Sequence, residues 1–183
     1  MDMKIVKESL NKLPTWGELV SSAPKEIQDI LQKCEETPQS SIWHPEASDA
    51  KVPHNVLAHT RLVFDRTREY NDINLLISAL FHDLGKPSTL SVNKQGKYSN
   101  HGHERVSANL VDRHRAWVGS LGAKFMQVKE IVDNHMKIKM IEEMRPHKQE
   151  ALRNLRTYSE LEKFTKCDDM RTLTDEELNR YNK

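Results

Sequence analysis

Between Ile73 and Leu84 the chain is apolar almost without interruption: Ile73, Leu75, Leu76, Ile77, Ala79, Leu80, Phe81 and Leu84. A segment with no polar face must be covered on every side, so the pattern predicts a central, buried helix over 73–84 around which the rest is arranged. Gly85 and Pro87 supply the stop signals behind it. Everything that can cover such a helix is itself helical in spacing. Asn55 is placed to cap a helix with Val56, His59, Thr60, Val63 and Thr67 on one stripe. Val106, Leu110, Val111, His114, Trp117 and Val118 predict one continuous helix. Val128, Ile131, Val132 and His135 predict the next, and Leu152, Leu155, Leu161, Phe164 and Cys167 mark two more. Residues 88–100 read as a loop or small hairpin around Asn93-Lys94-Gln95-Gly96. The fold class is therefore all-α.

Upstream, Thr15-Trp16-Gly17-Glu18 has the form of a capping box. Pro24 suits the first turn of a second short helix carrying Ile27, Ile30 and Leu31. Pro38, Pro45 and Pro53 make residues 35–54 irregular. Residues 1–43 thus read as an N-terminal helical extension and 44–172 as one helical domain. Residues 173–183 read as a C-terminal polar helix or tail, capped at Thr174 and free to fray.

Composition narrows the function classes. Twenty-eight Lys and Arg against 27 Asp and Glu give a net charge of +1 over 183 residues, which excludes a strongly basic nucleic-acid coat and an acidic tail. No apolar run approaches the roughly 18 residues of a membrane helix. The charged N-terminus does not resemble a signal peptide. Cys34 and Cys167 form no metal motif, and a reduced cytoplasmic compartment is expected. No obligate protein partner is evident. The informative residue type is histidine, with nine copies.

A single histidine on an apolar face is usually a satisfied core residue, and His44, His54, His114 and His147 carry no more meaning than that. Five residues resist this reading together. His82-Asp83 closes the most buried helix. His59 and His135 lie on the apolar stripes of other helices, and Asp168 follows Leu161, Phe164 and Cys167. A buried imidazole or carboxylate without a partner costs several kcal/mol, and a shared cation removes that cost for all of them. Mixed imidazole and carboxylate ligation suits divalent transition metals.

These residues also resemble a known family. His59, His82-Asp83 and Asp168 are similar to the ligand pattern of the HD-domain metal-dependent phosphohydrolases. Ala79-Leu80-Phe81-His82-Asp83-Leu84-Gly85-Lys86-Pro87 looks like the HD domain of bacterial tRNA nucleotidyltransferases. So do Gly96-Lys97-Tyr98-Ser99-Asn100-His101-Gly102-His103-Glu104 and His44-Pro45-Glu46. Nothing resembles the nucleotidyltransferase catalytic domain, so a free-standing HD domain over 44–172 is expected. The resemblance implies His59, His82, Asp83 and Asp168 as core metal ligands, with His103 and His135 as the extra ligands of two-metal members. His103 is preferred over His101 because His103-Glu104-x-x-Ser107-Ala108 resembles the family's His-Glu-x-x-Gly-Ala. Asp168 is preferred over Asp169 because Cys167 supplies the small preceding residue. Lys86 matches a lysine near the substrate phosphate, and Arg61 is a weaker candidate for substrate binding.

The implied cofactor is one or two divalent ions (Mn, Fe, Co, Ni, Zn or Mg). The implied reaction is attack of a metal-activated hydroxide on a phosphomonoester or a cyclic phosphodiester of a nucleotide or an RNA end, with Asp83 and Lys86 as the catalytic pair. A different class is an HD-fold module that binds a nucleotide or RNA without hydrolysis, using the basic series Lys137, Lys139, Arg145, Lys148, Arg153 and Arg156. A third is a structural metal site in a helical interaction protein.

Overall fold

A computed structural model describes residues 12–40 and 52–182. Two short helices, α1 (Trp16–Ser22) and α2 (Lys25–Glu35), precede α3 (Val56–Thr67). Next come α4 (Ile73–Phe81), the single turn α5 (Lys86–Thr89) and a hairpin of β1 (Ser91–Val92) and β2 (Tyr98–Ser99). The chain continues through α6 (His103–Arg113), α7 (Arg115–Ser120), α8 (Phe125–Asn134) and a 3-10 turn at Ile138–Glu143. It ends with α9 (Pro146–Arg153), α10 (Tyr158–Asp168) and α11 (Asp175–Tyr181). The fold is all-α apart from the hairpin. Among the described residues, no helix is long and apolar enough to cross a membrane.

The apolar segment is the centre of the molecule. Every side chain from Leu75 to Phe81 is buried, and α3, α6, α8 and α10 pack around it. Asp72 caps this helix by accepting from the Asn74 and Leu75 amides, and Asn55 caps α3 by accepting from Ala58 N. Leu19, Ile27, Leu31 and Cys34 of α1 and α2 join the same core.

Four local expectations are corrected. The central helix ends at Phe81, not Leu84. From His82 on the backbone tightens into turns, with Leu84 N bonded to Phe81 O and Lys86 N to Asp83 O. Pro87 does not stop this helix; it lies in the first turn of α5. The predicted helix over 106–118 breaks at His114, whose φ/ψ of −105°/26° is outside the helical basin. Its ring bonds Glu26 of α2, a contact 88 residues distant. The C-terminal helix is not a detached tail. It is docked on α3 through Arg66–Glu177 and Asp65–Tyr181, and Thr174 with Glu177 completes a capping box.

Candidate metal centre

The early end of α4 is what assembles the site. In a continuing helix, His82 and Asp83 would diverge by about 100°. In the turn the two side chains meet, His82 Nε2 lying 3.2 Å from Asp83 Oδ2, at the bottom of a cavity that Asp83 lines. α3 brings His59 to that point, α6 brings His103 at its first residue, α8 delivers His135 just past its last, and α10 ends on Asp168. All six side chains are buried, none more than 3% exposed.

The donors fall into two groups of three, His59–His82–Asp168 and Asp83–His103–His135. In the first, His59 Nε2 lies 2.9 Å from Asp168 Oδ1 and 3.3 Å from His82 Nε2. In the second, His103 Nε2 lies 3.2 Å from His135 Nε2 and 3.1 Å from Asp83 Oδ1. Asp83 joins the groups: its Oδ1 faces His103 and His135, while its Oδ2 sits 3.2 Å from His82 and 3.4 Å from His59.

The outer nitrogens settle which ring atoms carry hydrogen. Nδ1 of His82, His103 and His135 lies against the carbonyl of Ala79, Asn100 and Val132 respectively, at 2.7, 2.9 and 2.5 Å. A carbonyl only accepts, so each Nδ1 is the N–H. The inward Nε2 of a neutral ring is then a lone pair. Burial holds His135 down to about 4, so that ring is neutral. Burial disfavours the charged form of His82 too, but the Asp83 and Asp168 carboxylates outweigh it and hold that ring up at about 9. Burial alone would also raise Asp83 and Asp168. His82 and Lys86 keep the first, and Lys139 and His59 the second, well below the ordinary carboxylate range. The inward Nε2 atoms and the two carboxylates therefore converge on a buried point that demands positive charge, where an ion would displace the proton His82 otherwise holds.

A divalent ion fits that demand. Bonds of about 2.0–2.2 Å place neighbouring ligand atoms about 3.0–3.5 Å apart, which brackets most of the donor separations above. Nitrogen and oxygen donors in this mix suit Mn, Fe, Co, Ni or Zn, and the Nδ1–carbonyl bonds are the usual outer support of a ligating imidazole.

Above the donors lies a cavity of about 350 Å³. Lys86 is buried in its floor, with Nζ 2.9 Å from Asp83 Oδ2. Met136, Met140 and Met144 line it together with the 99–104 loop, and His101 sits there without joining either group of donors. Asp169 turns away to Arg171. Arg61 is not brought to the site: it is exposed, with its guanidinium over the Trp16 ring. Of the basic series, only Lys137 and Lys139 line the cavity. Lys139 was legible merely as one of six basic residues, yet its Nζ is 2.5 Å from Asp168 Oδ2. His44 lies outside the described residues.

No curated protein and no solved structure matches the chain significantly. A family model described as the HD domain matches residues 56–172, a span that contains all six clustered histidines and aspartates. The match covers well over half of the 183 residues, and the chain belongs to the HD-domain family.

Proposed function

We propose that the protein is a metal-dependent phosphohydrolase that holds two divalent ions and cleaves a phosphomonoester or cyclic phosphodiester of a nucleotide. The observation that carries this reading is the position of Asp83, one carboxylate oxygen toward each group of donors at the floor of an accessible cavity. His59, His82 and Asp168 would hold one ion, His103 and His135 the other, with Asp83 shared between them. A bound divalent ion supplies Lewis acidity: it neutralises phosphate charge and makes hydroxide available near neutral pH.

The remaining chemistry belongs to the chain. The carbonyls of Ala79, Asn100 and Val132 hold three imidazoles by Nδ1 with Nε2 facing inward, so the rings need not reorient when an ion binds. Lys86 and Lys139 each pair with one carboxylate of the cluster, and both ammonium groups line the cavity. Lys86 would turn part of its charge to the phosphoryl oxygens as negative charge develops there. The methionine thioethers offer adaptable apolar surface to the part of the substrate beyond the phosphate. The cavity volume lies in the range of small-molecule sites. A nucleotide is favoured as substrate by the similarity of 79–87 and 96–104 to the HD domain of bacterial tRNA nucleotidyltransferases.

The test is metal analysis of the purified protein, followed by hydrolysis of a phosphoester panel after loading with Mn, Co, Ni or Mg. The panel contains nucleoside monophosphates, 2′,3′-cyclic nucleotides, cyclic dinucleotides and an aryl phosphodiester. Turnover of at least one nucleotide is expected. Tight nucleotide binding with no turnover under any metal would replace the hydrolase by a non-catalytic binding module.

A further inference from the structure

One ion pair outside the cavity is attached to the backbone of the site. Arg66 lies on α3 two turns past His59. Its guanidinium forms a two-pronged pair with Glu177 of the C-terminal helix, Nε to Oε2 at 2.7 Å and Nη2 to Oε1 at 2.9 Å. The third nitrogen, Nη1, donates to Cys167 O at 3.1 Å and to Asp169 O at 3.0 Å. Those are the carbonyls on either side of Asp168. Asp168 is the last residue of α10, where helix carbonyls have no partner within the helix. The arginine supplies that partner. Its side chain is 14% exposed and that of Glu177 22%, so the pair is largely withdrawn from water.

Glu177 is itself held. Its Oε1 accepts from Thr174 N and Thr174 Oγ1 in the capping box of α11. The same helix is fastened to α3 at Asp65 by the Tyr181 hydroxyl, and to the chain entering α3 by Asn182, which accepts from His54 N. α11 thus ties together the element that carries His59 and the turn that carries Asp168. Among the described residues, its side-chain bonds to other elements go to α3 and to the chain entering it, and not to α6 or α8, which position His103 and His135.

We infer that Arg66 and Glu177 are positioning residues for one half of the metal centre: through them the C-terminal helix fixes Asp168 against His59, and the affinity of the His59–His82–Asp168 group for its ion depends on this brace while that of the Asp83–His103–His135 group does not. The inference rests on the metal-centre reading above and extends it to residues beyond the matched span, since Glu177 lies outside 56–172. An arginine is required at 66 because Glu177, the Cys167 and Asp169 carbonyls and the Thr172 hydroxyl are engaged at once; an ammonium keeps the charge and loses the planar fork.

The experiment uses the full chain and Mn²⁺ as probe, with affinity read by competition against a chromogenic chelator. Two backgrounds separate the groups: His103→Ala leaves the first, His59→Ala leaves the second. Into each are placed Glu177→Ala and, separately, Arg66→Lys, which spares the capping box. Thermal melts establish that each protein is folded at the titration temperature. In the His103→Ala background both changes should weaken Mn²⁺ binding by about 10- to 100-fold, the usual scale for groups that orient a metal ligand. In the His59→Ala background binding should stay within about twofold. Unchanged affinity in the first background, or equal losses in both, would overturn the brace and leave the metal centre standing. Wild-type protein that takes up no Mn²⁺ would overturn the metal-centre reading, and the brace with it.

Discussion

Gly85 follows the His82–Asp83 turn directly and faces the start of α6. Its φ/ψ of −76°/−11° is ordinary for any residue, so substitution brings no backbone strain. Space is the constraint. A Cβ at this position would lie 2.2 Å from His103 O and 2.9 Å from Val106 Cβ. The first of these is main chain inside a helix and cannot rotate away, so α6 must retreat by about 1 Å to reach ordinary contact at 3.4 Å. Such overpacking costs about 1–3 kcal/mol. The same shift strains the bond from Gly85 N to Ser107 Oγ, now 2.8 Å, at a net cost of about 0.5–1.5 kcal/mol. The stiffer unfolded chain returns about 0.4–1 kcal/mol. A net loss near 2.5 kcal/mol lowers Tm by about 5–10 °C in a chain of this size. Gly119→Ala is the control, because a Cβ there meets nothing within 4 Å. Differential scanning fluorimetry with and without Mn²⁺ reads both effects, since the retreat also carries His103 away from Asp83 and should shrink the stabilisation that Mn²⁺ gives. A Gly85→Ala protein melting within about 2 °C of wild type would refute the reasoning.

Asp83→Ala should lower phosphoester hydrolysis at least about 1000-fold, because the shared carboxylate is lost from both groups of donors; steady-state turnover on the best panel substrate measures it. Lys86→Ala should cost about 10- to 1000-fold in turnover, roughly 2–4 kcal/mol of charge stabilisation, while elemental analysis finds the ions still in place. For the metal-free protein, His135 has a folded-state pKa of about 4 against about 6.5 unfolded. Between those values the unfolded chain binds a proton that the fold refuses, so stability falls as pH falls, by at most about 1.4 kcal/mol per unit from this group. Chelator-treated wild type should lose stability more steeply from pH 6.5 to 4 than His135→Asn, and parallel denaturation curves would contradict the assignment. Burial pushes the Cys34 thiol up to about 12, so a thiol reagent at pH 8 should label it in urea and spare it in the native protein.

How far the sequence could be read depended on the range of the interaction. The central helix was visible because a run of apolar residues has one solution whatever surrounds it. His103 was picked out by the family resemblance, whereas His59 and His135 were visible because polar residues on apolar stripes conflict with their own neighbours in the chain. Local caps at Thr15, Asn55 and Thr174 were visible for the same reason. What failed was non-local. The break at His114 depends on Glu26, and nothing in the spacing from Val106 to Val118 announces it. Lys139 was one basic residue among several until Asp168 gave it a partner. Arg61 was picked out as a candidate for substrate binding, and Arg66, about one turn and a half further along the same helix, was not. The fold turns the first to Trp16 and the second to the backbone around Asp168.

The shared core of the N-terminal helices sets an upper limit on how much of this chain can be cut away. Leu19 and Ile27 have no exposed surface and Leu31 has 5%, in one core cluster with residues of the matched span. Burial of three such side chains is worth about 4–9 kcal/mol, against a total stability of about 5–15 kcal/mol for a typical domain. A fragment trimmed to 56–172 would leave an apolar face open on one side and, on the other, Arg66 beside Asp168 without its Glu177 anchor. The unit that folds is longer at both ends than the unit that is recognised, and expression of the recognised segment alone should give aggregated protein.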